Sequence, residues 1–186
     1  NPSLSPGRPF DGCRVVIDFD ANQFKIKDNC GGFDRDTAKK YAFRFGRPAG
    51  TVPTPRSIGQ FGVGMKRALF KFGHHFSVQS ATADEEWAVE VNVPKWEGEK
   101  SWAFPWGTFN ADEGISTTSP GTSIVVTELR PEVSSKFSTT NFNNLIVSLI
   151  KSKHRQFISD GMEVIVNGTR LDATDLYLLI SDKLPP

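Results

Sequence analysis

Ser57-Ile58-Gly59-Gln60-Phe61-Gly62-Val63-Gly64-Met65-Lys66-Arg67-Ala68-Leu69-Phe70-Lys71-Phe72-Gly73 is the most informative run of this chain. Gly59, Gly62 and Gly64 stand in a G-x-x-G-x-G spacing, and a helical pattern follows at once. Apolar residues fall at Met65, Ala68, Leu69 and Phe72, the i, i+3, i+4, i+7 rhythm of an amphipathic helix. Gly73 is a natural stop at its far end. A glycine-rich turn feeding a helix N-terminus exposes several backbone N–H groups, and the helix dipole adds partial positive charge there. Such a turn suits an anion, most often a phosphate, and Lys66 stands where its ammonium could reach the same anion.

Upstream, residues 46–57 hold three prolines, two glycines and two threonines, the composition of a loop. Before it, Asp34 can cap a helix running to about Phe45, with Ala38, Tyr41, Ala42 and Phe45 on one face. Residues 14–19 and 23–27 read as two strands of an antiparallel hairpin around Asp20-Ala21-Asn22. The second strand ends in a polar turn, Asp28-Asn29-Cys30-Gly31-Gly32-Phe33. Downstream, residues 75–81 and 86–93 alternate as strands, and residues 95–120 are less regular, with one strand expected near 101–104. A strand covers 121–129, the longest helix covers 140–158, and a strand from Glu163 enters an Asn167-Gly168 hairpin turn. The fold class is α+β: a two-layer sandwich, with one mostly antiparallel mixed sheet and helices on one face.

The chain has 186 residues, read as one domain over 1–186, and its 38% hydrophobic and 23% charged content are those of a soluble globular protein. No apolar run approaches a membrane span and residues 1–8 hold no signal-peptide core, so neither a membrane nor export is expected. Cys13 and Cys30 form no C-x-x-C pair, which argues against a disulfide framework or structural zinc. They read as free thiols in a reducing, cytoplasmic compartment. The net charge of +1 hides an asymmetry. Residues 33–71 carry nine Lys or Arg against Asp34 and Asp36, so +7 here faces −6 elsewhere. A local positive field beside a glycine turn fits a polyanion such as a nucleoside triphosphate, while a chain near neutrality fits nucleic acid less well.

Three features follow one another: the acidic turn after a strand, the glycine turn opening a helix, and Gly121-Thr122 opening a later strand. Read singly, Asp28 is a turn former, Thr122 a strand residue and Lys66 equally an ordinary solvated helix lysine. His74 and His75 read as helix-terminal residues, and the four tryptophans as sheet-face core. In this order, the set resembles the GHKL ATPases: gyrase B, the heat-shock-ninety chaperones, histidine kinases, MutL and the MORC proteins. Residues 26–33 resemble that family's first glycine box, usually D-x-G-x-G. Residues 58–65 are similar to its second box in the form of the chaperone and MORC branches, and Gly121-Thr122 to its third. The resemblance spans at least residues 15–129, and residues 152–171 are similar to the end of the same domain.

The resemblance implies a Bergerat-type fold that binds ATP or ADP with Mg²⁺. It implies a nucleotide contact set of Asp28, Asn29, Gly32, Phe33, Gly59, Gln60, Phe61, Gly62, Val63, Gly64, Lys66 and Thr122. Asp28 would accept from the exocyclic amine of adenine, and Thr122 would help at the same edge through a water. Gly32 would let the backbone approach the base. The amides of residues 60–64 would wrap the phosphates with Lys66 beside them. Residues 33–57 would form an ATP lid. Two departures stand out. Cys30 replaces the first glycine of D-x-G-x-G, which places a thiol near the adenine. The family's preceding helix, with its water-activating glutamate and Mg²⁺-holding asparagine, has no counterpart in residues 1–13, and a fragment is the expectation. The function expected is an ATP-binding, Mg²⁺-dependent hydrolysing module whose lid closure gates homodimerisation or engagement of a DNA or protein client. The alternative is a nucleotide-sensing or nucleic-acid-binding module without hydrolysis. A histidine kinase would need a phosphoacceptor histidine on a helix ahead of the boxes, and His74, His75 and His154 all follow the first one.

Overall fold

Alternation of apolar and polar side chains along strands sets the architecture of the computed structural model, which describes residues 7–44, 64–101 and 103–173. In chain order the elements are β1 (Arg14–Phe19), β2 (Phe24–Asp28), α1 (Arg35–Thr37) running into a π-helical turn (Ala38–Ala42), and α2 (Gly64–Phe72). Then come β3 (Gly73–Ala81), β4 (Glu86–Asn92), α3 (Val93–Gly98), a 3₁₀ turn (Ala111–Glu113) and β5 (Gly121–Leu129). The chain continues through α4 (Pro131–Phe137), α5 (Thr140–Lys153), α6 (Arg155–Ser159), β6 (Glu163–Val166) and β7 (Thr169–Leu171). The seven strands lie in the order β4-β3-β5-β2-β1-β6-β7. Among the described residues every pairing is antiparallel except β1 with β6.

The registers line side chains into rows across one face. Val91, Phe76, Val126, Phe24 and Phe19 form one row, and Val89, Val78, Ile124, Ile26, Ile17 and Val166 the next. These rows hold the core. Phe76, Val78, Val89, Val91 and Val126 are fully buried, packed with Leu69 of α2, Trp96 of α3 and Phe43 and Phe104. Phe19, Val164, Val166 and Leu171 pack against Phe137 of α4 and Ile158 of α6. Burying one such side chain contributes about 2 kcal/mol. The helices therefore cover one face of the sheet, and the α+β two-layer arrangement expected from the pattern is the one observed. On the opposite face Lys25 pairs with Glu113 at 2.6 Å, and the segment around Ile115, itself 2% exposed, folds back over the strands.

Four local expectations need correction. The helix capped by Asp34, whose carboxylate accepts from Thr37 N–H at 2.6 Å, gives way after three residues to the π-helical turn. The wider turn changes the phase, so Phe43 enters the core while Tyr41 is 45% exposed; Phe45 lies outside the described residues. His74 and His75 are strand residues, because α2 passes into β3 at Gly73 with no connecting loop. His75 Nδ1 lies 3.2 Å from Thr127 Oγ1 on β5. The strand near 101–104 is absent among its described residues. There the Trp96 indole N–H donates to the Ala103 carbonyl, Phe104 stacks on Trp96, and the sheet-edge bridge falls at Trp106 opposite Val89. The long helix breaks at His154 (φ −110), which ends α5 and precedes α6. Trp87 on β4 is sheet-face core, as expected; Trp96 is buried but on α3, Trp106 is half-buried at the sheet edge, and Trp102 lies outside the described residues.

Candidate nucleotide site

The third row on the helix face differs from the other two. Its members are Trp87 (β4), Ser80 (β3), Thr122 (β5), Asp28 (β2), Val15 (β1) and Val164 (β6). A polar trio from three adjacent strands thus interrupts an apolar face. Ser80 is fully buried. Its Oγ accepts from the Phe33 N–H at 2.9 Å, lies 3.1 Å from the Gly121 carbonyl as its donor, and stands 3.2 Å from Thr122 Oγ1. Ser80 therefore joins the first box to the third.

Asp28 Oδ1 accepts from the Cys30 N–H at 2.8 Å. Burial holds its carboxyl above the ordinary value of 3.8, opposed by hydrogen bonds from the Cys30 and Thr122 backbones. Two glycines permit this packing. A Cβ at Gly121 would lie 2.1 Å from the Asp28 carbonyl oxygen. Gly32 has a φ of +63°, and a Cβ there would lie 2.1 Å from the Ala81 carbonyl oxygen. The Phe33 carbonyl accepts from the Trp87 indole N–H at 2.7 Å, and the two rings meet edge to face at 4.8 Å.

The other candidate residues take different places. Asn29 spends its side chain on the lead-in to β1: Oδ1 accepts from Arg14 N–H at 2.6 Å and Nδ2 donates to the Gly12 carbonyl at 2.9 Å. Gly64 is the first residue of α2. Lys66, two residues on, is 3% exposed and donates to the Ala42 carbonyl at 2.6 Å, at the end of the π-helical turn. Burial lowers its pKa from the ordinary 10.5. Gly59, Gln60, Phe61, Gly62 and Val63 lie outside the described residues, as does the lid beyond residue 44. The structure thus brings together Asp28, Gly32, Phe33 and Thr122, and it joins Lys66 to the helix that follows them.

Ser80 and Trp87 were missed by sequence reasoning. A signal existed: the alternation Phe76, Val78, Ser80 puts a serine on the apolar face of β3. An apolar cavity of about 320 Å³ lies on the helix face, lined by Val15, Ile17, Ile26, Ile150 and Met162 among others. A larger cleft, about 470 Å³, opens around Asp18, Lys25 and Lys27 of the opposite face and is the one that Asp28 and Asn29 line. Part of the basic segment is engaged locally: Arg35 lies 4.5 Å and Lys39 5.4 Å from the Trp106 ring centroid, and Lys40 pairs with Asp36. Among the described residues no group of three His, Cys, Asp or Glu side chains could hold a metal, and no helix is long and apolar enough to cross a membrane.

A family model described as histidine kinase-, DNA gyrase B-, and HSP90-like ATPase matches residues 11–122, more than half of the chain. The matched span runs from the lead-in of β1 to Thr122 and contains the whole polar trio. Among solved structures, the Aquifex aeolicus MutL ATPase domain complexed with ADP is similar over 88% of this chain, with 15% identity and a TM-score of 0.49. The chain spans 57% of the length of that structure. No curated protein matches. The chain belongs to the histidine kinase-, DNA gyrase B- and HSP90-like ATPases, and with them to the ATP-binding proteins of the GHKL fold.

Proposed function

We propose that this chain binds ATP with its base edge on the Asp28–Thr122–Ser80 row and its phosphates at the 59–64 turn, and that residues 33–57 close over the nucleotide as a lid. The observation that carries the reading is a half-buried carboxylate presented beside a serine-braced threonine hydroxyl, on an otherwise apolar sheet face. An ionised carboxylate is an acceptor, and the exocyclic amine of adenine is a donor. A guanine carbonyl at the same place would face lone pairs and leave both groups unpaired, which favours adenine. The Thr122 hydroxyl, 3.2 Å from Ser80 Oγ, serves the same edge through a water.

Lys66 gives the lid a link to the phosphates. Its ammonium is buried against one carbonyl, a poor environment for a charge. A triphosphate arriving at the start of α2 offers it a better partner, and exchanging Ala42 for a phosphate oxygen releases the base of the lid. Hydrolysis needs a general base, and residues 7–13 contain no glutamate. Mg²⁺ would accompany the triphosphate and offset its charge; among the described residues no group of three His, Cys, Asp or Glu side chains could hold it. Lid closure then gates self-association or capture of a client.

Titration calorimetry with ATP, ADP and GTP tests the reading. ATP and ADP bind and GTP binds at least about tenfold more weakly, as expected for a mismatched polar edge. Asp28→Asn, which turns a donor toward the adenine amine, loses most of the adenine preference. Equal affinity of parent and variant for ATP, or tight salt-sensitive DNA binding with no nucleotide affinity, would overturn it.

A further inference from the structure

The two cysteines, far apart in sequence, are neighbours across the first hairpin. The register Val15 opposite Asp28, continued outward by two residues, sets Cys13 opposite Cys30. Hydrogen bonding fixes the kind of pair they form. The Asp20 N–H bonds to Gln23 and the Asn29 N–H to Arg14, so the pair 14–29 lies in the hydrogen-bonded phase. The alternate pairs, 15–28 and 13–30, are then non-hydrogen-bonded, the closer kind, with Cα atoms about 4.5 Å apart in regular ladders. That separation lies inside the range a disulfide spans, roughly 4.4 to 6.8 Å. Cys30 follows Asp28 by two residues, and both Asp28 and Cys13 are close enough to act on its thiol.

We propose that Cys13 and Cys30 form a reversible cross-strand disulfide, and that this bond closes the base-recognition end of the site. One partner is fixed and the other can move. Cys13 donates its N–H to the Phe10 carbonyl and accepts from the Glu163 N–H, both at 2.9 Å. Cys30 is exposed and is followed by Gly31, around whose Cβ position there is open space. The oxidant is a low-molecular-weight disulfide such as oxidised glutathione. The Cys13 thiolate attacks one of its sulfurs and expels a glutathione thiolate. Cys30, losing its proton to solvent, attacks the Cys13 sulfur of the mixed disulfide and expels the second. Two electrons pass from the protein sulfurs to the glutathione disulfide, which leaves as two thiols. Burial, with Asp28 and Cys13 adding to it, pushes the Cys30 thiol up to about 12.

The consequence for the site comes from the Cys30 N–H, the hydrogen-bond donor to Asp28 Oδ1. Bridging draws the two Cβ atoms to about 3.8 Å, moves that amide and turns the carboxylate away from the base. This consequence rests on the nucleotide reading above; the disulfide does not.

The test treats the 186-residue chain with oxidised glutathione, blocks remaining thiols under denaturing conditions and maps the peptides without reduction. The expected result is an intramolecular Cys13–Cys30 link, reversed by dithiothreitol, with Cys13→Ser and Cys30→Ser each taking up one glutathione instead. Mixed disulfides on both cysteines of the parent, or links between chains, would overturn the disulfide. Unfolding curves of the Ser variants guard against loss of fold. ATP affinity is then compared between oxidised and reduced parent. Oxidation weakens it about tenfold or more, the worth of one charge-assisted hydrogen bond. Equal affinity of the two forms overturns the closure. Absence of binding by both forms overturns the nucleotide reading and the closure together, while the peptide map still decides the disulfide.

Discussion

Gly121 and Asp28 meet backbone to backbone, so closely that a Cβ on Gly121 would lie 2.1 Å from the Asp28 carbonyl oxygen. Backbone cannot yield as a flexible side chain can. Gly121→Ala is expected to cost about 3 kcal/mol or more, seen as a lower urea midpoint. It also weakens ATP binding, because β5 must part from β2 where Thr122 and Asp28 are paired. An unchanged midpoint would show that the ladder tolerates the methyl group and that the close approach is not a constraint.

Ser80 connects the two boxes, so its loss acts on both stability and binding. Ser80→Ala leaves the Phe33 N–H without its acceptor and the Gly121 carbonyl without the serine. The expected cost is about 1–3 kcal/mol. Ser134→Ala, which removes one bond to the Ala21 carbonyl far from the row, serves as the control for binding. Calorimetry should find ATP affinity reduced in the first variant and unaltered in the second.

In the proposed site, Asp28 would trade stability for recognition. Its folded pKa is raised above 3.8, so the folded state favours the protonated form. Its contribution is fully present below 3.8 and is lost as pH rises through the folded value. At neutral pH the ionised carboxylate therefore strains the fold. Asp28→Asn is expected to raise the melting temperature at pH 7 and to flatten the acid side of the stability profile, while ATP affinity falls. Melting curves from pH 3 to about 8 read the difference. A variant less stable than the parent at pH 7 would contradict this.

In the proposed site, Lys66 would serve the phosphates and not the base. Its pKa is lowered in the folded state, so the unfolded chain binds the proton more tightly and stability rises as pH climbs toward 10.5. Lys66→Met keeps the apolar stem and removes the charge. Its effect on stability at pH 7 should stay within about 1 kcal/mol, the buried charge and the lost bond to Ala42 offsetting one another. Affinity for ATP should drop about tenfold while affinity for adenosine holds. Equal losses for both ligands would remove Lys66 from the phosphate end.

Much of this was legible in the order of residues. Strand alternation in β1 to β5 and the helical spacing from Met65 to Phe72 are local signals, set by which side chains must leave water, and they gave the layers correctly. Asp28, Gly32 and Gly121-Thr122 could be picked out because box spacing is a property of the chain itself. What the linear order does not contain is register. It made Ser80 the brace between two boxes, turned Asn29 toward the β1 lead-in, aimed Lys66 at Ala42 and set Cys13 against Cys30. Each of those contacts joins residues 17 to 47 positions apart, and such contacts arise from the packing of strands and helices on one another, which no local pattern of side chains encodes.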